Sequence, residues 1–299
     1  MIMSRTVKFR CYLILFSLLF TDSTWAVSGV YSLAGQASVI GSAFTYETRD
    51  NDSLIEIARQ FDLGYSEIVQ ANPKLDPFLP GAGKRINIAT AWIVPDAPHH
   101  KDVIINLSEM RLYYFFKHKR TTFVRTFPIG IGRQGFYTPV GSFQIIEKKV
   151  NPDWQVPQSI RREEPGLPAV VPSGPDNPLG FYALRLSLGD VLIHGTNRPF
   201  GIGRKDSHGC IRLYPEDIAV LFEMVRKGTK VTIVRQPVKV GVRDNRVYIE
   251  VHEDDSIELN YTEEANRLLR RNDLLIKIVP EKLYDALAKK NGVPTLISE

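Results

Sequence analysis

The sequence predicts a mainly β protein with a small mixed unit on either side of a β-rich centre. Two observations carry that prediction. From Val103 to Arg235, short runs rich in β-branched and aromatic residues follow one another between polar turns. Helical spacing of apolar residues is confined to residues 53–72, 215–227 and 262–290, so the strand–helix alternation of a doubly wound sheet is missing. A chain of 299 residues that is 43% apolar and 24% charged has ordinary globular makeup and room for two or three domains.

The first segment is set apart. Arg5, Lys8 and Arg10 precede an apolar run, Cys11 to Phe20, and Thr24-Trp25-Ala26 places small residues where signal peptidase inspects the chain. This order is that of a secretory leader over residues 1–26. An uncleaved anchor is the alternative, but a run of ten residues, nine of them apolar, falls well short of the roughly 20 that span a bilayer. No later stretch comes closer, so no transmembrane span is expected after cleavage. Removing residues 1–26 takes away three basic residues and one acid, leaving a net charge of +3. Without a dense basic run, nucleic acid is not an expected partner. Cleavage also removes Cys11, so Cys210 becomes the only cysteine. An exported chain usually pairs its cysteines, and a lone one points to a reactive thiol or to a small buried residue.

Residues 31–42 are rich in Gly, Ser and Ala and suit a linker or an edge strand. Residues 44–90 form a compact unit. Ser53 is placed to cap a helix over Leu54–Phe61, Tyr65–Asn72 reads as a second helix stopped by Pro73, and Lys84–Ile88 alternates like a strand. The stretch Pro95 to Pro98 marks a boundary. Beyond it, strands are predicted at 103–107, 111–116, 122–129, 143–146, 182–186 and 190–194. Residues 151–180 are rich in Pro and Gly with no predicted element, as in a lid or binding loop. An amphipathic helix is predicted from Pro215 to Lys227 and a closing strand from Lys230 to Arg235. The last unit, 236–299, shows a strand near Val247–Val251 and helices at 262–271 and 280–290.

The segment from Ile193 to Leu213, IHGTNRPFGIGRKDSHGCIRL, holds the chemistry. His194 ends a predicted strand and is followed by Gly195-Thr196. Ser207-His208-Gly209-Cys210-Ile211-Arg212 comes thirteen residues later. A thiol nucleophile needs an imidazole or backbone dipoles to draw off its proton, a group that fixes the imidazole tautomer, and N–H donors for the developing oxyanion. Glycines beside both candidates let the main chain approach a substrate. The competing arrangement is a zinc site built from His194, His208 and Cys210. Against it, no second cysteine is present and one residue separates His208 from Cys210. No metal or cofactor is therefore expected.

These residues resemble the signature of the L,D-transpeptidase (YkuD-type) catalytic domain, HGT followed after a variable loop by S-H/K-G-C-x-R. Phe127-Pro128-Ile129-Gly130-Ile131-Gly132 and Thr138-Pro139-Val140-Gly141-Ser142-Phe143 fit the same family, and the likeness spans residues 100–235. It implies a β-sandwich-like domain with the nucleophile at the bottom of a cleft. By position, Cys210 is the nucleophile, His194 the base, and the Gly195 carbonyl orients the imidazole. Ser207, His208 and Gly209, with Thr196, shape the substrate and oxyanion pocket. Arg212 supports the site or recognises substrate, pairing either a carboxylate of the wall peptide or a structural one such as Asp217. Residues 44–90 resemble a LysM module, through Ser53-Leu54, Ile57-Ala58, Ala71-Asn72-Pro73 and Ile86-Asn87-Ile88, although Asn51-Asp52 stands where Gly-Asp is usual. Glycan binding is the function implied, and packing on the next domain the alternative.

The resemblance implies a periplasmic enzyme of peptidoglycan. Cys210 would form a thioester at the L-centre of diaminopimelate in a tetrapeptide stem, release D-alanine, and pass the acyl group to an amine. The layout is similar to that of Gram-negative enzymes that attach Braun-type lipoprotein to the wall, as is the loop Pro168–Pro178. An outer-membrane lipoprotein lysine is thus one expected acceptor and diaminopimelate another. A carboxypeptidase or thiol peptidase on wall peptides, or a catalytically silent wall-binding scaffold, are the alternatives.

Overall fold

A computed structural model describes residues 29–33, 37–97 and 100–299. The leader at 1–26 lies outside the described residues. Within them, no helix is long and apolar enough to cross a membrane.

The β-rich centre is one sheet of nine strands. Val30–Leu33 forms its edge, pairing antiparallel with Thr121–Pro128, so the Gly/Ser/Ala-rich stretch does begin with an edge strand. The order continues through Arg111–His118, Asp102–Asn106 and Lys230–Val234 to Gly141–Val150, then Tyr182–Leu186, Leu192–His194 and Ile211–Arg212. The long strand Gly141–Val150 joins two layers. Its first half pairs with Lys230–Val234 and its second half with Tyr182–Leu186, with a register shift between Ile145 and Glu147. A bulge of this kind bends a strand from one layer into another. Between the layers lies the main core, where Ile105, Leu112 and Phe127 meet Leu184, Ile193 and Ile211.

The unit at 44–90 has the predicted order. Strands Phe44–Glu47 and Arg85–Ile88 pair antiparallel around helices α1 (Leu54–Gln60) and α2 (Tyr65–Ala71). Ser53 caps α1, its side chain accepting from Glu56 N. Asn72 staples α2 to the second strand: its Nδ2 donates to Ile68 O at 2.8 Å and Asn87 O at 2.9 Å, while Oδ1 accepts from Asn87 N at 2.8 Å. This unit is not a bead on a tether. Leu54, Ile57, Ile68 and Trp92 share a core with Ile104, Tyr113, Phe115 and Val124 on the outer face of the large sheet. Across that seam the buried Arg111 Nε donates to Glu67 at 2.8 Å, and Glu67 also accepts from Trp92 Nε1 at 2.9 Å.

Residues 151–180 are more ordered than their composition suggests. They hold a short helix, α3 (Gln158–Glu163), and a two-strand ribbon of Trp154–Gln155 with Val170–Val171. Asn177, fully buried, closes the base by donating to Pro152 O, Val171 O and Pro172 O. Side-chain-to-backbone bonds of this sort leave no periodicity in sequence. Helix α4 (Pro215–Met224) follows the cysteine and ends three residues before the predicted stop. The last unit adds a strand that went unpredicted, Val238–Arg243, paired with Arg246–Val251 around Asp244-Asn245. Both turn residues have positive φ, at 52° and 60°, the geometry of a two-residue hairpin. Helices α5 (Tyr261–Arg271) and α6 (Pro280–Lys289) pack on this hairpin through Ala265, Leu269 and Leu283.

Candidate active site

Parallel pairing of Leu192–His194 with Ile211–Arg212 matches Ile193 to Ile211 and His194 to Arg212. Ile193 and Ile211 point into the main core. Side chains alternate along strands, so His194 and Arg212 lie on the opposite face. Continuing the register back one residue sets Cys210 beside Leu192, diagonal to His194 on that same face. Strand pairing thus joins two motifs thirteen residues apart in sequence.

His194 is buried, and its Nδ1 lies 2.7 Å from Gly195 O. A carbonyl only accepts, so Nδ1 carries the proton and Nε2 keeps its lone pair. Burial, with Arg212 nearby, pulls the imidazole down to about 3, against the opposing carbonyls of Gly195 and Leu179. The ring is therefore neutral at working pH, with Nε2 unprotonated. Cys210 is half-buried. Burial raises its thiol above the usual range, opposed by the Leu192 backbone and Arg212. The thiol donates to Asp190 O at 3.8 Å, a long contact. Uncomplexed sites often hold such contacts loosely.

The turn before the cysteine is built from its own atoms. Ser207 Oγ donates to Cys210 O at 2.5 Å and accepts from Gly209 N at 3.2 Å. Gly209 has φ of +99°, a conformation that favours glycine. Thr138 holds this turn from the neighbouring loop: its Oγ1 donates to Gly209 O and accepts from Gly132 N, each at 3.0 Å. A Cβ on Gly132 would lie 1.9 Å from Phe136 O, so only glycine fits there. Thr138 and Gly132 sit in stretches already legible as motif, but their grip on the cysteine turn was not.

The other candidates make the following contacts. Thr196 is buried, and its Oγ1 accepts from Arg198 N at 2.9 Å. Arg212 pairs with Asp206 at 3.1 Å, not with Asp217. Asp217 instead lies against Asp62. His208 Nε2 meets Glu163 of α3 at 3.2 Å and Arg133 at 3.1 Å, and its ring packs edge-on against Phe136. Glu163 in turn pairs with Arg133, which ties the 151–180 segment to the rim of the site. Neither Glu163 nor Arg133 carries any motif signal in sequence.

The zinc arrangement is not formed, since His208 Nε2 faces Glu163 and Arg133. Among the described residues one other grouping has ligand character: Glu109, Glu250 and His252 gather within 4.8 Å. Lys239 Nζ stands 2.6 Å from Glu109 and 2.9 Å from Glu250, so an ammonium already takes the cation's place.

Comparison with known proteins places the chain among relatives. Residues 100–233 match the L,D-transpeptidase catalytic domain, YkuD. The chain is 36% identical over 303 residues to "Probable L,D-transpeptidase ErfK/SrfK" of Escherichia coli strain K12, an alignment spanning 95% of each. It is 44% identical over 227 residues to "Probable L,D-transpeptidase YbiS" of the same strain, covering 74% of this chain and 71% of that protein. The likeness to "Probable L,D-transpeptidase YcfS" is 41% over 229 residues, with 74% and 71% covered.

Proposed function

The chain belongs to the L,D-transpeptidase family and is an L,D-transpeptidase of peptidoglycan, and from that premise we propose that Cys210 is its nucleophile and His194 its base. The observation that carries the assignment is the neutral His194, held by Gly195 O at 2.7 Å on the sheet face it shares with Cys210. A tetrapeptide stem bound over this face draws the thiol from Asp190 O. Sγ attacks the carbonyl of the L-centre of diaminopimelate as its proton passes to His194 Nε2. The oxyanion forms beside the Ser207–Cys210 turn, whose bonds to Thr138 preorganise it. The C–N bond to D-alanine then breaks, and His194 returns the proton to the departing amine. An incoming amine attacks the thioester, gives its surplus proton to His194, and the Cys210 thiol is restored.

The acyl acceptor we infer is an amine, either of diaminopimelate or of a lipoprotein lysine. Support for the second comes from the layout of the chain. A secretory leader over 1–26 would deliver it to the periplasm. We assign glycan contact to the 44–90 unit as a LysM-like module, supported by Phe78 and Leu79, 60% and 79% exposed on the loop after α2. The test of the catalytic assignment is intact-protein mass spectrometry with a tetrapeptide-bearing disaccharide. An adduct equal to substrate minus D-alanine, absent in Cys210→Ala, is expected. A folded protein giving neither adduct nor product would overturn it. Adding lysine or diaminopimelate separates transfer from the peptidase alternatives, which release product without amine dependence.

A further inference from the structure

The loop that joins His194 to Cys210 is gripped from two sides by units outside the catalytic domain. On one side stands the N-terminal unit. Tyr65 N donates to Ile202 O at 3.0 Å, and Ser66 donates to Gly203 O through both N, at 3.2 Å, and Oγ, at 2.5 Å. These amides open α2 and have no partner within the helix, so the loop's carbonyls complete the helix as the helix holds the loop. The contact is backbone on backbone. Gly203 has φ of +80°, and a Cβ there would lie 2.2 Å from Tyr65 N and 2.5 Å from Gly64 C. The next residue, Arg204, lays its guanidinium over the Tyr65 ring at 3.5 Å.

On the other side stands the C-terminal unit. Lys205 Nζ donates to Asp254 at 3.3 Å, to Ser256 Oγ at 2.9 Å and to Asp255. Asp254 is itself anchored. Its side chain is fully buried, accepts from Arg235 at 2.9 Å and Ser108 at 2.7 Å, and titrates low, at about 2, because these bonds outweigh burial. Lys205 opens the strand Lys205–Ser207, which leads directly into the cysteine turn and pairs with Ile131–Gly132.

We propose that both flanking units position the nucleophile, acting through this loop, with Ser66 and the Lys205–Asp254 pair as positioning residues. The proposal rests on Cys210 being the nucleophile. Among the described residues no ion pair holds Cys210, and its turn is fastened to a loop whose two ends are set by the catalytic sheet. Fastening the middle of the loop to two further bodies removes the remaining freedom of the Ser207–Cys210 turn. Displacement of a reacting group by about 1 Å is enough to cost about 10²-fold in rate.

The test uses the full chain with Lys205→Met, Lys205→Arg, Ser66→Ala and Cys210→Ala. Acylation by the tetrapeptide-bearing disaccharide is followed by intact mass, with kcat and KM separated. Hydrogen exchange is read over residues 199–209, and melting temperature for each variant. Lys205→Met is expected to lose about 10- to 100-fold in kcat with KM within threefold, to exchange faster at 199–209, and to be restored within about threefold by Lys205→Arg. Ser66→Ala, which keeps the backbone bonds, is expected to lose about 3- to 10-fold. Wild-type acylation with both variants unchanged in kcat would overturn the proposal while leaving Cys210 in its role. A loss of kcat that merely tracks the unfolded fraction would overturn it as well. Failure of the wild type to acylate would instead remove the catalytic assignment on which it rests.

Discussion

At the residue scale, His194 shows how burial sets both the state of a side chain and its stability cost. Burial and the Gly195 carbonyl hold the ring neutral in one tautomer, the state that the proposed role as base requires. Replacement by Gln is expected to lower kcat by about 10²–10⁴. The same burial predicts acid sensitivity. The unfolded chain binds a proton on this ring near pH 6.5 whereas the folded one does so only at about 3. Its contribution to stability is complete above pH 6.5 and drains away as the pH falls towards 3, by about 1.4 kcal/mol per unit over that interval. Melting curves between pH 4 and 7 should therefore be flatter for His194→Gln than for the wild type. Parallel curves would show that the ring is not held neutral.

At the element scale, the contact between the α1–α2 corner and the start of α4 holds two carboxyls, Asp62 and Asp217. Asp62 is raised to about 6 by burial, against the opposing charge of Arg111, and Asp217 is raised well above the usual carboxylate range by burial and by Asp62. Glu67, Glu216 and Arg125 also face the pair. A raised folded value means the pair favours the folded state fully below about pH 4 and loses that contribution as pH rises through about 6. Asp217→Asn keeps a hydrogen-bonding group and removes one negative charge. It is expected to stabilise the protein at pH 8 by about 1–3 kcal/mol and to narrow the difference in denaturant midpoint between pH 5 and 8. An unchanged difference would show that the carboxyls do not share a proton. Tyr214, at the same corner, donates to Leu63 O at 3.1 Å, a neutral bond that this substitution leaves alone.

At the scale of the whole molecule, three units behave as one body. The outer face of the catalytic sheet is apolar at Ile104, Tyr113, Phe115 and Val124, and the N-terminal unit covers it. The C-terminal unit is locked in by Lys239, which reaches Glu109 in the turn between Asp102–Asn106 and Arg111–His118, and Ile93 O of the preceding segment, both at 2.6 Å. A fragment limited to residues 100–235 would expose that apolar face and strip Glu109 of its partner Lys239. Such a fragment is expected to associate or precipitate, read by size-exclusion chromatography beside the full chain. A monomeric fragment with full acylation rate would show that the flanking units are dispensable.

The sequence by itself determined the local elements and marked the segment from which the proposed reacting groups are drawn. Strand runs, the Ser53 cap, and the paired HGT and SHGC motifs each follow from patterns within a few residues, because alternation, capping and glycine-bearing turns are short-range physics. It also placed the family, since both motifs occur in the same order, separated by a loop, within one segment. Tertiary structure alone decided what those residues touch. That Arg212 pairs with Asp206, while Asp217 on α4 lies against Asp62, depends on how strands and helix pack. The bonds of His208 to Glu163 cross 45 residues, and those of Lys205 to Asp254 cross 49. Burial likewise comes from elsewhere in the chain, and burial is what neutralises His194 and raises the Cys210 thiol. Side-chain chemistry is local, but the dielectric around it and the partner it meets are properties of the packed whole.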